Sequence, residues 1–179
     1  MGQEMLMFSK WEARVSAKVA NASADQIWPL VKDFFGIHKY FPNLQISYGI
    51  EGKNGEIGSI RYCESCDLVK SSDDDDDDDG KKQPLVNWAK ERIIGIDPNE
   101  KSLTYELIDS NIGFNSYVST MKVATMNNCA KISDDESVGC VLEWSFSVDP
   151  VEGFKFEDLV TQYRLWLQKM AQNMKDLSQ

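Results

Sequence analysis

Hydrophobic and polar positions follow a period of two near the start of the chain and helical spacing near its end. Every second residue of the first segment is apolar, which predicts a half-buried β-strand. Those residues are Ala13, Val15, Ala17 and Val19. The last segment has a broad apolar stripe typical of one long amphipathic helix. That stripe consists of Phe156, Leu159, Val160, Tyr163, Trp166, Leu167, Met170 and Met174. A curved sheet wrapped on one helix can leave a cavity between the two layers, so this pattern favours a small-molecule binder.

A short helical region is predicted directly after the first strand. Ser23 followed by Gln26 forms a capping-box pattern, which indicates a helix start. The apolar face of this helix consists of Ile27, Trp28, Leu30, Val31 and Phe34. Gly36 and Pro42 interrupt the pattern and leave room for only a short second helix around residues 38–41.

Strands dominate the middle of the chain. Alternating segments bounded by turn residues predict strands at 44–51, 57–68, 84–96, 102–109, 115–126 and 138–149. The last of these is the clearest, because Cys140, Leu142, Trp144, Phe146 and Val148 share one face. The chain shows no strand–helix–strand repetition, so the sheet should be antiparallel and the fold class α+β.

Length, charge and composition restrict the possible functions. A chain of 179 residues suits one domain over residues 1–179. Its net charge of −10 argues against binding to nucleic acid or anionic lipid, because both select clustered Lys and Arg. No secretory signal or membrane-spanning stretch is recognisable, so a cytoplasmic protein is expected. The four cysteines are then expected to be thiols.

One strongly acidic segment interrupts the strand pattern. Residues 71–82 include seven consecutive aspartates, Asp73 to Asp79. Like charges at this density repel one another and stay hydrated, so a mobile loop between two strands is predicted. A calcium site is the alternative, but the run lacks the ligand spacing of a defined calcium loop.

The residue patterns that could indicate a catalytic triad, a metal site or a nucleotide site are weak or missing in this sequence. His38 is the only histidine and lies in the short helical connection, where a satisfied or exposed side chain is expected. Cys63 and Cys66 have a metal-like spacing, but residues three apart on a strand point to opposite faces. The sequence has no Gly-rich nucleotide motif. No cofactor and no metal are therefore expected.

Arg61 and Glu91 are candidates for an acid–base pair. Each lies in the middle of a predicted strand, and the two strands follow one another across the acidic segment. If both side chains face an apolar cavity, the arginine keeps the carboxylate ionised and able to take and return a proton. An exposed cross-strand ion pair of little energetic value is the simpler interpretation from the pattern alone.

Three aromatic residues are candidates for the lining of such a cavity. Tyr105, Tyr117 and Trp144 each combine a large apolar ring with a polar group. Ordinary core packing explains these residues equally well, so both interpretations remain open at this stage.

The chain resembles the plant lachrymatory-factor-synthase-like group of the START-like, polyketide cyclase/dehydrase and pollen-allergen-like superfamily. The resemblance runs from about Trp11 to Met174. The matching blocks are Lys10-Trp11, Leu30-Val31-Lys32-Asp33-Phe34, His38-Lys39, Gly58-Ser59-Ile60-Arg61-Tyr62, Trp88-Ala89-Lys90-Glu91 and Glu143-Trp144-Ser145-Phe146. The resemblance implies a helix-grip fold. In this fold a seven-stranded curved antiparallel sheet wraps a long C-terminal helix, with two short helices after the first strand.

The resemblance also implies a function. The enzyme that gives the group its name isomerises a small alkenyl sulfenic acid, and its proposed catalytic arginine and glutamate align with Arg61 and Glu91. One of its pocket tyrosines aligns with Tyr117, whereas another falls on Leu107. The expected partner is thus a small, largely apolar organic ligand, bound by an isomerase-like or cyclase-like enzyme. A non-catalytic carrier or sensor of a lipid, hormone or secondary metabolite is the alternative, because fold does not imply function.

Overall fold

A computed structural model describes residues 9–65, 86–126 and 139–177. The strands in these ranges are β1 (Trp11–Ala20), β2 (Leu44–Glu51), β3 (Ile60–Ser65), β4 (Asn87–Asp97), β5 (Ser102–Ser110), β6 (Val118–Thr125) and β7 (Gly139–Val148). The helices are α1 (Ala24–Lys32), one 3₁₀ turn (Ile37–Lys39) and α2 (Phe156–Leu177). The predicted elements are therefore present in the predicted order.

The strands form one antiparallel sheet with the order β1-β7-β6-β5-β4-β3-β2. Neighbours in the sheet from β2 to β7 are also neighbours in the sequence, and each pair runs antiparallel. β1 pairs along its whole length with β7, from Trp11 opposite Val148 to Ala20 opposite Gly139. The segment with α1 and the 3₁₀ turn joins the two edge strands, β1 and β2. The α+β helix-grip prediction is confirmed.

The start of α1 follows from the predicted capping box. The Ser23 hydroxyl accepts a hydrogen bond from the Gln26 backbone N–H, and the Gln26 side chain accepts one from the Ser23 N–H. Two backbone N–H groups at the helix start are satisfied in this way. The chain then passes Gly36 into a single 3₁₀ turn, which is the second short helix that the sequence predicts.

The core lies between the concave face of the sheet and the apolar stripe of α2. The five residues predicted to share one face of β7 are all buried, as are most residues of the α2 stripe. Leu142, Leu167 and Met170 are fully buried. Burial of each such side chain stabilises the fold by about 1.5–3 kcal/mol.

Some strand boundaries differ from the predictions. β3 begins at Ile60 rather than at 57, because Gly58 has a positive φ of 88° that does not fit an extended strand. The acidic segment 71–82 lies outside the described residues. Among the described helices, none is long and apolar enough to cross a membrane.

Candidate functional site

Arg61 and Glu91 meet on the concave face of the sheet. The register of β3 and β4 places them directly opposite each other. Nε of Arg61 donates to Oε2 of Glu91 at 2.7 Å, and Nη2 of Arg61 lies 2.6 Å from the same oxygen. The two side chains are only 7% and 13% exposed, so the interpretation as an exposed surface pair is wrong. Alternation along the strands is ambiguous here, and only the register assigns both residues to the inner face.

The end of α1 completes the surroundings of Arg61. Nη1 of Arg61 donates to the Phe34 carbonyl oxygen at 2.8 Å, and the guanidinium carbon lies 3.9 Å from the centre of the Phe34 ring. Burial opposes the charge on Arg61, but the Glu91 carboxylate outweighs it and raises the pKa of the guanidinium. Arg61 is therefore a fixed positive charge inside the fold.

The two oxygens of Glu91 have different surroundings. Oε2 accepts both hydrogen bonds from Arg61 and also lies 3.8 Å from Sγ of Cys63. Among the described residues, no hydrogen bond involves Oε1. One oxygen is thus anchored by the guanidinium, whereas the other has no such anchor in the part of the chain that the structure describes.

The ion pair lines a cavity of about 100 Å³ between the sheet and α2. Its polar residues are Arg61, Cys63, Ser65, Asn87 and Glu91. Aromatic side chains make up much of the remaining lining, namely Phe41, Trp88, Tyr105, Phe114, Tyr117, Trp144, Tyr163 and Trp166. A small concave site with few polar groups in an apolar wall is the usual form of a small-molecule site.

All four predicted pocket residues lie at this cavity. Tyr105, Leu107, Tyr117 and Trp144 contribute to its lining, from β5, β7 and the segment before β6. Leu107 is half-buried, whereas the three aromatic residues are 3–5% exposed. Their role in ligand binding stays a prediction.

The aromatic lining contains a buried network of polar groups. The Tyr117 and Tyr163 hydroxyl oxygens are 2.8 Å apart and share a hydrogen bond. Nε1 of Trp144 donates to the Ser119 hydroxyl at 2.7 Å, and that hydroxyl donates to the Ser145 carbonyl oxygen. Burial raises the pKa of Tyr105 to about 12 and the pKa of Tyr117 and Tyr163 well above its usual value. These phenols are neutral hydrogen-bonding groups at pH 7.

Sequence reasoning missed many residues of the cavity lining, among them Cys63, Tyr163 and Trp166. Cys63 was considered only as a metal ligand, although its alternation with Arg61 already places both on one face of a strand. Tyr163 and Trp166 were recognised only as members of the α2 stripe. No local signal separates cavity-lining members of such a stripe from ordinary core residues.

Other candidate groups lie apart from the cavity. His38 is half-buried in the 3₁₀ turn, and its Nδ1 is buried with no hydrogen-bond partner among the described residues. The expectation of a satisfied or exposed histidine is therefore wrong for this atom. Within the described ranges, no cluster of three His, Cys, Asp or Glu side chains has the geometry to hold a metal ion.

The chain was compared with models of known protein families. Residues 10–178 match the family described as polyketide cyclase / dehydrase and lipid transport. The chain belongs to this family. The family comprises both enzymes and lipid-transport proteins by its description, so membership alone leaves the choice between catalysis and transport open.

Solved structures from plants and bacteria share the fold of this family member. Major latex-like protein 151 from Panax ginseng is 18% identical with a TM-score of 0.62, over 94% of this chain and 98% of that chain. The protein XoxI from Bacillus cereus is 17% identical with a TM-score of 0.62, over 93% and 94% of the two chains. An uncharacterised protein from Bacillus thuringiensis is 16% identical with a TM-score of 0.61, over 93% and 98%. At this level of identity the similarity shows the fold alone.

Proposed function

We propose that this protein is an enzyme that moves a proton within a small organic ligand, in an isomerase-like or cyclase-like reaction. The observation that carries the proposal is the buried Arg61–Glu91 pair at the cavity wall. One carboxylate oxygen is held by the arginine, and the other has no hydrogen bond among the described residues. A positioned carboxylate of this kind is suited to general acid–base catalysis.

Each partner of the pair has a distinct role in the proposed reaction. Oε1 of Glu91 takes a proton from one atom of the ligand and returns it to another. Arg61 holds Oε2 of Glu91 in place during the transfer, and its N–H groups stabilise negative charge that develops on the ligand. The surrounding aromatic side chains exclude water, which strengthens both interactions.

The size of the cavity supports a small ligand. A cavity of about 150 Å³ accepts benzene, so about 100 Å³ has room for roughly four or five non-hydrogen atoms. A small alkenyl sulfenic acid, the substrate implied by the resemblance to lachrymatory-factor synthases, is of this size. A lipid or hormone is larger than this volume.

A carrier or sensor of a hydrophobic molecule is the second candidate function. It is favoured by the predominantly aromatic lining and by the lipid-transport members of the family. In a carrier, the affinity depends on the cavity volume at Tyr117 or Leu107, and no reaction depends on Glu91.

Replacement of Glu91 by glutamine separates the two functions. The amide has nearly the same shape and keeps an oxygen that accepts from Arg61, but it cannot take up the proton. Glu91→Gln should retain ligand affinity and reduce turnover about a hundredfold or more. The assay combines an alkenyl cysteine sulfoxide with its lyase and follows the thial S-oxide by gas chromatography.

Glu106 provides a matched control on the neighbouring strand. It pairs with Arg92 on the outer face of the sheet, where Nε of Arg92 donates to Oε1 at 2.9 Å. Glu106→Gln makes the same chemical change away from the cavity and should leave turnover unchanged. Full activity of Glu91→Gln would show that Glu91 does not transfer the proton. An inactive parent would exclude this substrate, while other substrates and the carrier function would remain.

A further inference from the structure

One peptide bond after the end of α1 is held by two side chains from other parts of the chain. Its carbonyl oxygen, which belongs to Phe34, accepts from Nη1 of Arg61 at 2.8 Å. Its N–H, which belongs to Phe35, donates to Oδ1 of Asn54 at 2.9 Å. This peptide lies beyond the last helical residue, Lys32, and among the described residues no backbone group bonds its N–H or its oxygen. Its orientation therefore depends on the Arg61 and Asn54 side chains.

Asn54 lies outside the cavity, in the exposed turn between β2 and β3. Gly55 allows this turn to pack against the end of α1, because it has a positive φ of 73° and an added Cβ would lie only 2.9 Å from the Lys32 carbonyl oxygen. Backbone hydrogen bonds join the turn to β4, among them one from the Gly58 N–H to the Ile93 oxygen at 2.8 Å. The turn is thus attached on both sides and places Asn54 at a fixed position beside α1.

Asp33 orients the amide group of Asn54. Nδ2 of Asn54 donates to Oδ1 of Asp33 at 2.7 Å. The same carboxylate accepts from the Gly36 N–H and from Nζ of Lys39, both at 3.1 Å, so it is itself held in place. Since a carboxylate only accepts at neutral pH, it selects the amide nitrogen and leaves the amide oxygen of Asn54 facing the Phe35 N–H.

We propose that Asn54 is a positioning residue for the buried Arg61. A trans peptide bond is planar, and its N–H and C=O point in opposite directions. The Asn54 amide and the Arg61 guanidinium therefore lie on opposite sides of one peptide, and each hydrogen bond polarises the peptide so that the other is strengthened. Loss of the Asn54 acceptor frees the peptide to rotate, which moves the Phe34 oxygen away from Nη1 of Arg61.

The Phe34 oxygen is the second anchor of the guanidinium. Nε and Nη2 of Arg61 both contact the same atom, Oε2 of Glu91. Two contacts that end on one atom leave the guanidinium free to pivot about that atom, and the hydrogen bond from Nη1 to Phe34 prevents this rotation. The inference rests on the proposed function only for its effect on turnover, because the orientation of Arg61 can be measured without a substrate.

Nitrogen-15 NMR of the Arg61 side chain tests this role directly. The Nη1 and Nη2 signals are assigned by their loss in Arg61→Lys. In the parent protein, anchors at both ends of the guanidinium slow its rotation, so Arg61 should give two separate Nη signals. In Asn54→Ala, which removes both hydrogen bonds of the amide, the two signals should broaden and merge. A single averaged signal in the parent, or two unchanged signals in Asn54→Ala, would overturn the proposal.

Asp97 provides a matched control in another exposed turn, directly after β4. Its Oδ1 accepts from the backbone N–H groups of Asn99 and Glu100 at 2.9 and 3.0 Å. Asp97→Ala therefore also removes two side-chain hydrogen bonds from an exposed turn, but neither leads to Arg61. The Arg61 signals and the turnover of this variant should equal those of the parent. Merged signals in both variants would show a general loosening of the sheet and would contradict a specific role of Asn54.

The kinetics of Asn54→Ala test the consequence for the proposed reaction. Its kcat should fall about tenfold and its KM should change by less than about twofold, because Arg61 stabilises charge in the transition state and Asn54 does not line the cavity. A higher KM with an unchanged kcat would contradict the positioning role.

Failure of this inference and failure of the proposed function give different results. An inactive parent would contradict the proposed reaction alone, since the Arg61 signals still decide the positioning role. Merged signals with unchanged turnover would support the positioning of Arg61 and contradict its part in the reaction. Unchanged signals would overturn the inference whatever the turnover, and circular dichroism confirms that each variant is folded.

Discussion

The burial of the Arg61–Glu91 pair has a large and measurable effect on stability. Arg61→Leu leaves Glu91 with an unpaired charge in a site where its side chain is only 13% exposed. Loss of one partner of a buried pair typically lowers the free energy of unfolding by about 3–5 kcal/mol. The Arg92–Glu106 pair joins β4 and β5 on the outer face, with side chains 46% and 29% exposed. Arg92→Leu should therefore lower the free energy of unfolding by only about 0–1 kcal/mol.

Replacement of Arg61 and Glu91 together should have a much smaller effect on stability than loss of one partner. Arg61→Leu combined with Glu91→Leu removes both buried charges and leaves apolar side chains in an apolar wall. Its free energy of unfolding should return to within about 1 kcal/mol of the parent value, since apolar replacement of a whole buried pair is often neutral or stabilising. The double variant should at the same time be inactive in the isomerase assay, which would assign the pair to function rather than to stability.

Urea unfolding followed by tryptophan fluorescence measures these differences. With a denaturant dependence of about 2 kcal/mol per molar urea, a loss of about 4 kcal/mol lowers the midpoint by about 2 M. The Arg92→Leu midpoint should move by less than about 0.5 M. Equal effects of Arg61→Leu and Arg92→Leu would refute the argument, because they would show that the inner pair is as well hydrated as the outer one.

Further predictions concern ionisation, packing and hydrogen bonds in the core. Burial raises the pKa of Cys63 from 9.0 to about 11, so stability that is present below pH 9 should be lost as the pH rises through 11. The loss should be about 2–3 kcal/mol by urea unfolding and should be smaller in Cys63→Ala. Gly49→Ala places a methyl group against the Phe35 ring and should lower the melting temperature, with a loss of about 1–3 kcal/mol. Gly95→Ala, whose added Cβ meets Thr104 at an ordinary 3.6 Å, should not. Tyr163→Phe removes the hydroxyl partner of Tyr117 and should lower the free energy of unfolding by about 1–3 kcal/mol, and an additional Tyr117→Phe should recover part of this loss.

The regular elements could be predicted because their signals are local. Alternation along β7 and the helical stripe of α2 each require only the spacing of apolar residues, and both predictions agree with the buried residues. The capping box of Ser23 and Gln26 likewise depends on residues three positions apart. The predicted positions of strand ends were less accurate. At Gly58, for example, the backbone has a positive φ, and the surrounding sequence pattern encodes this conformation only weakly.

The residues of the candidate site could be predicted from the sequence only in part. Arg61 and Glu91 could be named from the sequence, and the resemblance to a known family added Tyr117 and Leu107. Their burial could not be predicted, because it requires the register of β3 against β4 and the Phe34 carbonyl at the end of α1. The simpler interpretation of an exposed pair was wrong for this reason.

The sequence by itself determined the order of elements and the α+β class, since these follow from residue types at fixed spacings, and it named Arg61 and Glu91 as candidates only. Only the tertiary structure decided that one oxygen of Glu91 accepts from Arg61, that Cys63 lies next to that oxygen, and that Nε1 of Trp166 has no hydrogen-bond partner within the described ranges. Those properties arise where β3, β4 and α2 meet, from residues up to about a hundred positions apart in the chain. Local patterns cannot encode such contacts, because they form only when the sheet closes on the helix.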